Sequence, residues 1–336
     1  MAGSPPPVGE ELLGLPPLAP RAYSPASMQR LDGNTPIPEP LAGAILALGN
    51  FDGFHAGHQA VVGHAIEWAR AEGRPAIVAT FDPHPMRHFR PDTPPFRLTT
   101  LDQRQRLFAD AGADAMLIFH FDDDLAGLPA RAFAQTRLVD RLRVGGVVTG
   151  TDFTFGKGRD GDVAVLAALG DALGFGTATV APVDDGAGTI SSSRIRDFLT
   201  AGLPRDAAAL LTRPFAIQAA VEPGAQLGRQ LGYPTANMRL GNYLRPRYGI
   251  YAVRGALPDG RVLDGVANLG IRPTIAGQAD ELLEPHFFDF SGDLYGETIE
   301  VALIDYLRAE AKFDDLDALK VQMAKDCDAA RIALAR

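Results

Sequence analysis

Residues 44–70 read AILALGNFDGFHAGHQAVVGHAIEWAR. Ala44–Leu48 is a short apolar run of strand length, and Gly49, Gly53 and Gly57 then punctuate a turn. A helix follows from Gly57 to Arg70, on which Val61, Ala65, Trp68 and Ala69 recur at i, i+4, i+7 and i+8 as a stripe facing a sheet. The same unit recurs downstream. Apolar runs at Ala76–Phe81, Ala115–Phe119, Val144–Thr149 and Thr177–Val183 read as strands, with helical stretches near 101–111, 129–142 and 162–173 between them. Strands separated by helices imply a parallel sheet covered on both faces. The expected class is therefore α/β, a nucleotide-binding type of architecture that ends near residue 185.

Beyond this the pattern changes. Residues 191–211 read as helical connectors, and after Thr212 the runs Phe215–Val221, Gly249–Leu257, Val262–Leu269, Leu282–Phe290 and Ile299–Leu307 suit antiparallel strands. Pro258-Asp259-Gly260 makes a hairpin turn between two of them. A closing helix carries Leu316, Leu319, Met323, Cys327, Ala330 and Leu334 on one stripe, so Cys327 is expected to face a core. These strands with one terminal helix suggest a small antiparallel β-barrel.

Composition narrows the function. The chain has 336 residues, 46% apolar and 22% charged, room for two domains with real cores. Its formal net charge is −9 and no dense Lys/Arg block occurs, which argues against nucleic acid as a partner. An anionic substrate must then be held by local devices: helix N-termini, a few arginines, a metal ion. One cysteine excludes an internal disulfide framework and fits a cytoplasmic setting. No apolar run approaches the ~18 residues of a membrane span. The first 40 residues hold ten of the 26 prolines and no basic-then-apolar signal pattern, and residues 1–39 are read as a flexible leader without strand or helix.

The turn after the first strand is the first candidate site. Its glycines allow close approach of backbone to ligand, and the helix N-terminus offers unpaired N–H groups to phosphate. His55 and His58, three apart, can share one face there and donate hydrogen bonds to phosphate oxygens. The plainer reading is two polar turn residues near a cap; a zinc site would need a third ligand with suitable spacing, and none accompanies them. Thr80-Phe81-Asp82-Pro83-His84-Pro85 could likewise be only a rigid turn. Gly156-Lys157-Gly158-Arg159-Asp160-Gly161 spells a dinucleotide fingerprint, but at the wrong strand of the domain.

His55-Ala56-Gly57-His58 resembles the HxGH signature of nucleotidyltransferases, and Gly49-Asn50-Phe51-Asp52-Gly53-Phe54 before it looks like the FMN adenylyltransferase variant. The partner signature is similar to Ile190-Ser191-Ser192-Ser193-Arg194-Ile195-Arg196, with serine in place of the usual threonine. Thr80–Pro85 resembles a further family stretch, with Asp82 where glutamate is usual. Gly150-Thr151-Asp152-Phe153-Thr154-Phe155-Gly156-Lys157-Gly158-Arg159 resembles one attributed to flavin and phosphate contacts.

In the second half, Gly224–Asn237 reads GAQLGRQLGYPTAN, a glycine-rich stretch with a hydroxyl and an amide two residues apart. From the residues alone it is a candidate phosphate loop, and not a Walker A loop. It resembles the GxxLGxPTAN segment of riboflavin kinase, with Tyr233 where phenylalanine is common. Glu284-Pro285-His286 resembles that family's ExH, although Pro285 is unusual in a strand centre and implies an edge or a bulge. Gly265–Thr274, Asp289–Gly296 and Lys312-Phe313 match further kinase segments.

The chain is thus similar, over roughly residues 40–335, to the prokaryotic bifunctional riboflavin kinase/FMN adenylyltransferase family. The resemblance implies a Rossmann-like nucleotidyltransferase domain at 40–200 and a kinase barrel with terminal helix at 205–336. It implies ATP and Mg²⁺, with riboflavin and FMN as substrates and FAD as product. It assigns His55, His58, Arg196 and Glu284 to catalysis. Gly49, Asn50, Phe51, Asp52, Gly53, Ser191, Ser192, Gly228, Gly232, Pro234 and Thr235 fall to ATP, and Thr235 also to the metal. Asp152, Phe153, Phe155, Arg159 and Asn237 fall to the flavin. The alternatives are one activity retained with the other half a flavin-binding module, a different HxGH enzyme with an unrelated appendage, or a non-catalytic flavoprotein. Oligomeric state, a homo-oligomer included, is left open.

Overall fold

Ile45–Leu48, four buried residues with no polar side chain among them, form the central strand β2 of a six-stranded parallel sheet. The computed structural model describes residues 28–223, 233–273, 279–313 and 315–336. It divides into two units: 25–93 with 101–190, and 94–100 with 191–336.

The first unit is the α/β expectation realised. Strands β1 (Gln29–Asp32), β2, β3 (Ala76–Asp82), β4 (Ala115–His120), β5 (Gly146–Gly150) and β6 (Gly176–Val180) lie in the order β1-β4-β3-β2-β5-β6. From β2 the chain runs outward on one side through β3 and β4, then returns to the other side for β5 and β6. The order therefore reverses at the C-terminal end of β2, the place where such sheets bind ligands. Helix α1 (Ala56–Glu72) follows β2, α2 (Pro85–Phe89) follows β3, and α3 (Leu101–Ala111) precedes β4. α4 (Asp123–Ala126) and α5 (Ala130–Phe133), the latter continued by a π-helical turn at Ala134–Val139, precede β5, and α6 (Val163–Leu173) precedes β6.

The stripe expected on α1 is buried, with Trp68 only 1% exposed. Two strand glycines make room for its indole. A Cβ on Gly176 would lie 2.7 Å from Trp68, and one on Gly146 would collide with the same ring. β1 corrects the reading of residues 1–39 as a leader without structure: Gln29–Asp32 pairs in parallel with β4. Only Leu31 of those four residues is buried, so an edge strand of this length carries almost no apolar pattern.

The second unit opens with α7 (Ser192–Ala201) and α8 (Pro204–Leu211). A closed barrel follows, with β7 (Phe215–Glu222), β8 (Asn237–Arg239), β9 (Gly249–Ala256), β10 (Val262–Pro273), β11 (Ala279–Phe287) and β12 (Thr298–Arg308) in the cyclic order β10-β11-β8-β7-β12-β9. All its pairings are antiparallel. Ile217, Met238, Leu269, Leu283, Ile299, Val301 and Leu303 fill the interior, each fully buried.

The terminal helix α9 (Leu316–Leu334) packs on β9, β10 and β12. Its expected stripe holds only in the C-terminal half, where Ala330 and Leu334 join Ala252 and Phe288, with Cys327 against them. Leu316 is 54% exposed, so the stripe does not extend to the helix start. The buried Asp326 carboxylate fixes the helix instead, taking both prongs of Arg308 at 2.7 and 2.6 Å. Pro285 lies neither in a bulge nor on an open edge: the β10–β11 register runs unbroken through it. β8 pairs with β11 through Leu282 and Leu283, and beyond them the Pro285 carbonyl accepts the Ala236 N–H while the return bond, which proline cannot donate, is absent.

Candidate active sites

In the first unit, Gly49–His55 turns from β2 into α1 at the topological switch point. Phe51 and Phe54 hold left-handed backbone, φ 50 and 45, which costs a non-glycine residue about 1–3 kcal/mol each. Burial of both rings against Phe108, at 6.0 and 5.0 Å between centroids, offsets that cost. The Asn50 carbonyl is held by the Thr80 hydroxyl at 2.7 Å and by the Arg104 guanidinium at 3.2 Å. Arg104 is 2% exposed and also donates to Thr80 Oγ1 at 2.8 Å. Arg104 sits on α3, a helix expected only to pack.

His55 caps α1: its Nδ1 accepts the His58 N–H at 3.4 Å. In the neutral imidazole that leaves Nε2 as the donor nitrogen. The His58 ring stacks on His55 with centroids 3.7 Å apart and meets the edge of Phe51 at 5.3 Å. Gly57 makes the arrangement possible, because a Cβ there would press on the His55 ring at 3.2 Å. The pair expected to share a face does so, at a helix N-terminus suited to anions.

The segment Asp152–Arg159 leaves the end of β5, the strand beside β2, so it emerges on the same edge of the sheet. The structure gives its two phenylalanines different places. Phe155 is a core residue, packed on Phe133, and Phe153 is half-buried, stacked over it at 5.7 Å and 14°. The glycines of the dinucleotide-like string serve this loop: Gly156 and Gly158 take positive φ, and Gly161 pairs with Phe155. Asp160 anchors the loop by accepting the Ala130 N–H. Asp152 and Arg159 are exposed. At the end of β3, His84 caps α2, and a ring cluster of Phe81, His88, Phe89 and Phe121 leaves Phe89 65% exposed.

Ser191, Ser192 and Arg196 belong to the second unit. Ser191 caps α7 by accepting the Arg194 N–H at 3.3 Å. Arg196 donates Nε to the Phe96 carbonyl at 2.9 Å and lies over the Phe96 ring.

On the barrel, the segment after the glycine-rich stretch is stitched to β11. The Ala236 N–H donates to the Pro285 carbonyl at 3.0 Å, and the His286 ring nitrogen Nδ1 lies 2.9 Å from the Pro234 carbonyl. A carbonyl only accepts, so His286 carries its proton on Nδ1 there. Tyr233 adds its ring against His286 at 5.3 Å. These contacts run residues 233–236 along Pro285 and His286, next to Glu284 in the chain. His286 is therefore the tether of that loop, a role its motif alone did not reveal. Gly228 and Gly232 lie outside the described residues. Among the described residues no cluster of His, Cys, Asp and Glu could hold a metal ion, and no helix is long and apolar enough to cross a membrane.

Two family models match successive parts of the chain. The sequence model of the FAD synthetase family matches residues 37–194, and that of riboflavin kinase matches residues 211–334. A bifunctional riboflavin kinase/FMN adenylyltransferase of Escherichia coli K12 is 40% identical over 287 residues, 85% of this chain and 91% of that protein. The protein of the same description from Haemophilus influenzae is 38% identical over 87% of this chain and 94% of its own length. A crystal structure described as a macrolide-efflux protein from Streptococcus pneumoniae superposes with a TM-score of 0.80 at 29% identity, over 90% of this chain and 99% of that one. With both family models in sequence order and relatives matched nearly end to end, the chain belongs to the bifunctional riboflavin kinase/FMN adenylyltransferase family.

Proposed function

We propose that this chain converts riboflavin to FMN and FMN to FAD, consuming ATP in each step, with residues 205–336 carrying the kinase and 40–200 the adenylyltransferase. The carrying observation is the stacked His55–His58 pair at the switch point of the sheet. Imidazole donors and helix N–H groups converge where an α-phosphate would gain charge. An FMN phosphate oxygen attacks the α-phosphorus of ATP, the bond to the β-phosphate oxygen breaks, and pyrophosphate leaves. Phe153 and the exposed Phe89 would offer flat apolar surface to a flavin. The roles of Ser191, Ser192 and Arg196 toward triphosphate rest on sequence resemblance.

In the kinase step, Glu284 accepts the proton of the 5′ hydroxyl as its oxygen attacks the γ-phosphorus, and ADP leaves. Magnesium suits the oxygen donors present: the Thr235 hydroxyl, and the buried amide oxygen of Asn237 two residues on, which has no hydrogen-bond partner among the described residues. Those two residues would hold the ion that accompanies ATP and neutralises phosphate charge. A cytoplasmic setting, where ATP and riboflavin meet, goes with this reading.

The test is a chromatographic time course with riboflavin, ATP and Mg²⁺. FMN appears first and FAD follows with pyrophosphate. His58→Ala abolishes FAD and spares FMN, while Glu284→Gln abolishes FMN formation and spares FAD formation from added FMN. Equal loss of both products in either variant would sink the two-site reading, and wild-type FMN without FAD would favour the kinase-only alternative.

A further inference from the structure

Three outward-facing polar residues stand in one row across the barrel wall. Glu284 on β11 is the cross-strand partner of Asn268 on β10. On its other side β8 pairs through Leu282–Arg239 and Leu283–Met238, so the next step of that register sets Asn237 level with Glu284. Their chain neighbours Met238, Leu269 and Leu283 fill the interior, and strand alternation turns Asn237, Glu284 and Asn268 to the outside. Neighbours in such a row have Cβ atoms about 4.5–5.5 Å apart.

Both amides bracketing Glu284 carry a buried Oδ1 with no hydrogen-bond partner among the described residues. Such an oxygen is costly to leave without a partner, and with the Asn237 oxygen turned to the metal, that of Asn268 on the other side of the carboxylate points to a ligand that brings a donor. Asn237 lies on the Thr235 side, the side of the phosphates and metal. Asn268 lies on the opposite side of Glu284. In an in-line displacement the attacking alcohol and the leaving group occupy opposite sides of the transferred phosphorus. With the triphosphate toward β8, the polyol chain behind the reacting hydroxyl runs toward β10. There its further hydroxyls are donors matched to an amide oxygen.

We propose that Asn268 is a substrate-binding residue of the kinase site, its amide oxygen accepting a hydrogen bond from a ribityl hydroxyl near the one phosphorylated. The proposal rests on the kinase reading above. It is tested on the full chain with Asn268→Leu, measuring steady-state FMN formation from riboflavin and from analogues lacking the 3′ or the 4′ hydroxyl. The KM for riboflavin should rise about ten-fold, the scale of one hydrogen bond lost with a partner left unpaired. The KM for ATP and the magnesium requirement should stay at wild-type values. One deoxy analogue should suffer a similar loss with the wild type and no further loss with the variant. Asn268→Ser, easier for the strand to accommodate, is assayed in parallel and read in the same way. An unchanged riboflavin KM, or analogue and variant losses that multiply, overturns the proposal. So does a raised ATP KM or magnesium requirement, which would put Asn268 on the phosphate side. A wild-type chain making no FMN would overturn the kinase reading and this proposal with it. FMN from the wild type and an indifferent Asn268→Leu would overturn this proposal alone.

Discussion

At His55 the cap hydrogen bond bears on what the imidazole can do. By capping α1 through Nδ1 it directs the Nε2 proton away from the helix, and the turn that sets this geometry depends on Arg104. A guanidinium 2% exposed is costly unless its donors are used, and two of its bonds go to Asn50 and Thr80. Replacing Arg104 by Met should loosen the turn without touching the histidines. We expect the KM for ATP in FAD formation to rise about ten-fold, with FMN formation unchanged, as for one charged hydrogen-bonding group lost. Assaying both half-reactions in the variant checks this; equal loss in both would reduce Arg104 to a folding residue. The histidines were legible because their spacing and their glycine are local. Arg104 was not, since nothing in Leu101–Ala111 marks which polar residue points inward.

Among elements, the loop at 241–248 is fastened to β11 by one carboxylate. Glu281 accepts from Arg245 Nε at 2.7 Å and from the Tyr248 hydroxyl. The Arg245 hydrogen bond holds the Glu281 carboxyl below the usual carboxylate range. Burial, helped by the Glu281 bond, pushes the Tyr248 hydroxyl up to about 12. A depressed carboxyl pKa means that the unfolded chain takes up the proton first as pH falls. Its stabilisation is complete above the ordinary glutamate value of about 4.3 and fades as pH drops through the lowered one. Urea unfolding of wild type and Glu281→Gln should therefore show a gap at neutral pH that closes in acid; a gap that widens in acid would contradict the sign. Strands with a full apolar period were legible from composition, whereas β1 and β8 were not. Each is three or four residues long and owes its place to a neighbour's edge rather than to its own pattern.

For the whole molecule, the relevant fact is two separate cores, one under the parallel sheet and one inside the barrel. The order of the two halves could be read from the change of hydrophobic period alone. The tether from His286 to Pro234 could not, because it joins residues that only the folded barrel brings together. Gly146→Ala should lower only the unfolding midpoint of the first unit, since a methyl there meets Trp68 and overpacking costs about 1–3 kcal/mol. Asp326→Ala should lower only that of the second, leaving Arg308 without its carboxylate at a cost of about 3–5 kcal/mol. Calorimetry of the two variants decides this, and one transition moved by both would mean the cores do not melt separately.

The indole lodged against Gly146 and Gly176 has an optical consequence. Trp68 is the chain's single tryptophan, and Tyr233, Tyr243, Tyr248, Tyr251, Tyr295 and Tyr306, six of its seven tyrosines, all belong to the second unit. Excitation at the red edge, where only indole absorbs, watches the sheet alone, while tyrosine emission reports mainly on the barrel. The protein thus carries a two-colour probe of its own folding, with no label to attach.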